Sequence, residues 1–128
     1  KRFRRTTFLM QEFYKTIDVI VKAQQKARQK NDYLTLMVNA EALLERIPTL
    51  INYSVEQEAI YRKHEAKILD EKDENNKNRT SSYAETQAKA TEAYKEWQKA
   101  KLFIEFMYEM VNLSKKLASS VDKEYNAS

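Results

Sequence analysis

The sequence predicts an all-α protein: a long αα-hairpin plus an N-terminal amphipathic helix, assembled as a helical homo-oligomer. Three observations carry that expectation. The 128 residues contain no glycine and one proline, which nearly removes the residues that tight turns and β-bulges need. Charged residues make up 33% of the chain, in a mixture rich in the good helix formers Ala, Glu, Lys and Gln. The third observation is residues 93–121, AYKEWQKAKLFIEFMYEMVNLSKKLASSV, which hold the single tryptophan and the densest apolar run.

In that run two apolar rows recur at helical spacing. One is Trp97, Ala100, Ile104, Met107/Tyr108, Val111 and Leu117/Ala118; the other is Leu102, Phe106, Met110 and Leu113. A polar strip, Lys101, Glu105, Glu109, Asn112 and Lys116, separates them. A helix apolar over most of its circumference needs neighbours to cover it. The remaining helices are too few, so a homo-oligomer is expected, with Trp97, Leu102, Phe106, Met110 and Leu113 at its interface.

Taken in order, residues 3–30 read as the first helix. Leu9/Met10, Phe13, Ile17, Ile20/Val21 and Gln24/Ala27 give it one apolar face, and Lys15, Lys22, Lys26 and Lys30 lie on the polar side. Asn31-Asp32 reads as a break, with Asp32 as the N-cap of a second helix over residues 33–47. Pro48 lacks an amide hydrogen and disfavours α geometry at Ile47, which predicts a kink or break over 48–54. The capping-box pattern Ser54-Val-Glu-Gln57 restarts the helix, to residue 72. Residues 73–82, DENNKNRTSS, carry no apolar side chain and read as a loop at the hairpin tip or a fraying helix end. A second capping box, Ser82-Tyr-Ala-Glu85, starts a last helix over 83–122. All of this is expected as one domain.

Composition excludes several functions. The longest uncharged run is far short of the roughly 20 apolar residues of a membrane span. Residues 1–5 are basic, but the run after them is amphipathic, so no secretory signal is expected. With no cysteine there is neither a disulfide framework nor a thiolate metal site, which is compatible with the cytoplasm, the expected location. Phosphate-cradling loops need glycine. His64 is the lone histidine, lacks a partner at i,i+4, and reads as a solvated surface residue. Glu105 and Glu109, one turn apart, would serve as a general acid–base pair only beside a nucleophile or pocket; they read instead as partners of Lys101 and Lys116, or of basic groups on the first helix or another subunit. No cofactor, no metal and no enzymatic activity are expected.

The charge distribution is the best functional signal. Residues 1–30 carry nine Lys or Arg against two acids, a net of +7, and the other 98 carry fourteen against seventeen, a net of −3. A basic segment on a slightly acidic body suits contact with a polyanion. Arg2, Arg4 and Arg5 are interleaved with Phe3 and Phe8, as in single-strand binders, and Lys15, Lys22, Lys26, Arg28 and Lys30 extend the patch. A basic amphipathic helix also suits an anionic membrane surface, but Phe13, Ile17 and Ile20 are more simply core.

Residues 33–125 carry a resemblance. EALLERIPTLINYSVEQEAIYRKHE over 41–65 is followed by the polar gap, an Ala-rich stretch, the aromatic helix and a Lys-rich end at Lys115 and Lys116. This order of features resembles the UvsY family of phage recombination mediators. The resemblance implies an oligomeric accessory factor that binds single-stranded DNA and loads a recombinase onto DNA covered by single-strand-binding protein. Its place would be the host cytoplasm. The alternative reading is a structural or adaptor helical bundle acting only through protein–protein contacts.

Overall fold

The structure, a computed structural model, describes the backbone of residues 2–127 and the side chains of residues 9–120. Four helices follow one another: α1 (Arg2–Gln29), α2 (Tyr33–Leu69), α3 (Ser81–Lys89) and α4 (Glu92–Ala127). No strand occurs among the described residues. Packing divides the chain into two compact units, Lys1–Ile47 with Phe106–Ser128 and Pro48–Glu105, where one domain was expected.

In the first unit the buried side chains alternate in steps of four and three. They are Met10, Tyr14, Ile17, Val21 and Gln24 on α1, where Ala27 is buried as well one step of three further on; Leu36, Ala40, Leu43 and Ile47 on α2; and Met107, Val111 and Ser114 on α4. This is the heptad spacing that keeps one seam of a helix facing its neighbours. Ile17, Leu43 and Met107 are completely buried, and each contributes roughly 1.5–3 kcal/mol of transfer free energy. Leu9, expected on the apolar face of α1, points outward instead, and Tyr14 takes an inward place.

The α1–α2 junction follows from two residues. Asn31 takes a left-handed conformation (φ 53°), which Asn tolerates better than most residues. The amide of Asp32 then donates to the carbonyl of Ala27 at 2.9 Å, and that of Asn31 to Arg28 at 3.3 Å, capping the exposed carbonyls of α1. Asp32 caps α2 in turn: its carboxylate accepts from the Thr35 amide at 3.2 Å and the Thr35 hydroxyl at 2.7 Å. These bonds, with Lys30 nearby, hold the Asp32 carboxyl below its ordinary value.

The break expected over 48–54 does not occur. Helix α2 runs unbroken through Pro48, and Ser54 is a buried interior residue rather than a cap. Proline inside a helix costs about 3 kcal/mol. Burial of Leu43, Ile47 and Leu50, all at heptad positions on α2, offsets that cost.

The second unit continues the same spacing on α2 through Leu50, Ser54, Gln57 and Tyr61, and on α4 through Ala93, half-buried Trp97 and Ala100. Ala84 and Ala88 of α3 are fully buried. Residues 70–80 form an ordered turn rather than a fraying end. Lys72 and Asn78 form a single antiparallel bridge, Asn76 is left-handed (φ 60°), and the Asp73 carboxylate accepts from the amides of Asn75 and Lys77 at 2.8 and 2.9 Å.

The last helix, expected to run unbroken over 83–122 from a cap at Ser82, is two helices. Thr80 is the N-cap of α3, its hydroxyl accepting from the Tyr83 amide at 3.1 Å. The chain then turns at Ala90-Thr91. The Thr91 hydroxyl donates to the Ala88 carbonyl at 2.6 Å and accepts from the Tyr94 amide at 3.4 Å, closing α3 and capping α4.

Candidate functional site

The basic residues of α1 can be sorted by the heptad seam. Lys15, Lys22, Lys26 and Lys30 are all exposed and lie on the side of α1 opposite Ile17 and Val21, in a row with the exposed Val19. Lys22, Lys26 and Lys30 succeed one another at one-turn steps; none of them forms a salt bridge among the described residues, and only Lys30 acts on a nearby carboxylate, that of Asp32. Lys15 is tied to Glu12 at 3.2 Å, an exposed pair of little strength. Arg28 is exposed but falls off this row, where it lines a shallow concavity with Gln25 and Gln29. Arg2, Arg4 and Arg5, expected to begin the basic patch, lie outside the described side chains.

The first unit also contains a buried polar junction at Gln24, expected only to extend the apolar face of α1. Gln24 donates to the backbone carbonyl of Leu36 at 2.9 Å and to the hydroxyl of Ser114. Ser114 donates onward to the carbonyl of Met110 at 2.8 Å. The Gln24 side-chain oxygen is buried without a partner. One glutamine thus ties α1 to both α2 and α4 within that unit, and a polar residue at a heptad core position fixes register. Polar residues at heptad spacing, Gln24 and Ser114, are the signal from which it could have been read.

The residues expected at a subunit interface fall into different surroundings. Trp97 belongs to an aromatic group inside the second unit. Its ring stacks on Tyr61 at 5.6 Å between centroids and meets Tyr94 edge-on at 5.9 Å. The Arg62 guanidinium lies 5.0 Å from the Tyr61 ring and 5.6 Å from that of Trp97, and the Lys101 ammonium 4.6 Å from Trp97. Burial, with the Glu65 carboxylate beside it, raises the Tyr61 hydroxyl above its ordinary value. Lys101 is thus engaged with Trp97 rather than with Glu105, and neither Glu105 nor Glu109 has an ion-pair partner among the described residues. Leu102 of the second unit is 66% exposed. In the first unit Phe106 is 41% exposed, and Met110 and Leu113 are half-buried. Leu117, read from the sequence with the inner row, is half-buried too and continues this outer one.

His64 is exposed on α2, where it borders a shallow concavity with Ile60, Lys63 and Lys67. No group of three or more His, Asp or Glu side chains that could hold a metal ion occurs among the described residues. No helix, among the described residues, is long and apolar enough to cross a membrane.

Fold and surface together define a class: an all-helical protein packed on heptad seams, with a row of exposed lysines on one helix and an exposed apolar row on another. Compared with known proteins, the chain matches no protein-family model, no curated protein and no solved structure.

Proposed function

We propose that the chain is a non-enzymatic accessory protein that binds single-stranded nucleic acid through the outer face of α1 and works as a homo-oligomer. The observation that carries this reading is the row Lys22, Lys26 and Lys30: three exposed cations at one-turn spacing, none of them in a salt bridge among the described residues. Such a row matches a phosphate backbone, and each further copy adds cations to the same strand. The narrower role of a recombination mediator that contacts a recombinase or a single-strand-binding protein rests on the resemblance of residues 33–125 to that family.

Fluorescence anisotropy with a labelled single-stranded oligonucleotide across a salt series tests the reading. Binding is expected at about 50 mM salt, weakening steeply as salt rises. Absence of binding there overturns it.

One feature favours the adaptor reading. On α2 the strongly exposed Leu34 and Val38 sit just before the exposed Glu41 and Glu45, an amphipathic outer face suited to another helix. A stable oligomer that ignores oligonucleotide decides for it.

A further inference from the structure

Helix α4 carries two adjacent heptad seams. The inner one, Met107, Val111 and Ser114, is buried in the first unit. The outer one is Phe106, Met110, Leu113 and Leu117, again in steps of four, three and four, and it stays partly exposed. Four apolar residues at heptad spacing are the knobs of a helix pair. The position just before each of Met110 and Leu117 flanks that seam on its solvent side. Glu109 and Lys116 occupy those two positions. Both are exposed, and neither has an ion-pair partner among the described residues.

We propose that this seam docks a second copy of the same helix, antiparallel, about a two-fold axis passing between Val111 and Asn112. In that register Phe106 meets Leu117 of the partner subunit, Met110 meets Leu113 of the partner subunit, and both contacts repeat across the axis. Charge decides the direction. In an antiparallel pair the flanking positions face one another, so Glu109 lies against the partner's Lys116, and Lys116 against the partner's Glu109. A parallel pair brings neither charge to an opposite one, because there the flanking positions face residues five further along the partner helix, Ser114 for Glu109 and Val121 for Lys116, and neither is charged. The interface is isologous and closes with two copies. The seam spans about 18 Å of helix, so the dimer is modest in strength. It leaves the lysine row of α1 to other partners.

This inference deepens the homo-oligomer part of the proposed function, and its test uses no nucleic acid, so the two can fail separately. The mass of the full chain is measured by sedimentation equilibrium over a concentration series, with helicity checked by circular dichroism. The parent is expected to dimerise. Glu109→Lys and Lys116→Glu each place like charges together twice, and each is expected to weaken self-association about ten-fold. Mixed one to one, the two variants carry complementary charges in the antiparallel register, and the dimer is expected to return to parental strength. A parent that remains monomeric at about 100 µM overturns the proposal. So does a mixture that associates no better than either variant alone.

Discussion

The side-chain amide of Gln24 donates to the hydroxyl of Ser114, ninety positions further along the chain. Both residues are buried at heptad positions, and the second amide hydrogen of Gln24 goes to the carbonyl of Leu36. Gln24→Ala removes both bonds and opens a cavity, with an expected cost of about 2–4 kcal/mol. Ser114→Ala leaves one buried donor without a partner, at about 1–2 kcal/mol. The pair Gln24→Ala with Ser114→Ala, which removes both sides of the junction, is expected to cost less than the two single changes added together. Urea denaturation of the four proteins measures this coupling; strict additivity would count against a shared junction.

Pro48 stands inside a helix, exposed, with no amide hydrogen to donate. Pro48→Ala restores the bond to the Leu44 carbonyl and replaces the poorest helix former with the best. An increase in stability of about 1–3 kcal/mol is expected. A decrease, in the same denaturation experiment, would mean that the proline ring contributes packing that its exposure does not suggest.

Asp32 links pH to the α1–α2 junction. Its folded-state carboxyl lies below the unfolded value because ionised oxygen accepts the Thr35 bonds. Its contribution is therefore complete above the unfolded pKa of about 3.9, and is lost as pH falls through the lower folded value. Asp32→Asn is expected to flatten the acid limb of stability against pH while leaving the profile from pH 5 to 8 parallel to the parent's. Thermal melts between pH 2 and 8 read the difference.

Tyr61 acts at the opposite end of the scale. Burial first, and Glu65 second, raise its hydroxyl above the ordinary tyrosine value. The stabilisation is thus fully present below about pH 10 and disappears as pH rises through the folded value. Tyr61→Phe is expected to remove that alkaline loss, and with it the 3.3 Å hydrogen bond to Glu65. Ultraviolet titration of tyrosinate together with alkaline melts would show whether one late-titrating phenol is gone.

The lysine row has its own signature. If Lys22, Lys26 and Lys30 each meet one phosphate, replacing all three with alanine lowers the slope of log affinity against log salt by about 2 for a single strand. Arg28→Ala, off the row, is expected to change the slope little. Equal effects from all four positions would point to diffuse attraction rather than a row on one helix face.

By itself the sequence determined the secondary structure class and much of the chain's punctuation. Absence of glycine, helix-forming composition and apolar residues at helical spacing are local facts, so all-α structure, the position of α1, the Asn31-Asp32 junction and the outward lysines could be read from it. Local signals also misled where a distant partner mattered. Pro48 carries a breaking signal, but the breaking cost is a few kcal/mol, and burial of Leu43, Ile47 and Leu50 exceeds it. Ser54 and Ser82 fit capping patterns, yet Ser54 is held inside a helix by its buried neighbours, and Thr80 and Thr91 cap instead. Capping is a competition among nearby hydroxyls, settled by which backbone amides the packed helices leave open. Only the tertiary structure placed Gln24 on Ser114, gathered Tyr61, Tyr94 and Trp97 into one aromatic group with Arg62 over two of its rings, and separated the buried seam of α4 from the exposed one. Periodicity gives the angle of a side chain around its helix; which of two neighbouring seams is covered depends on where the other helices pack.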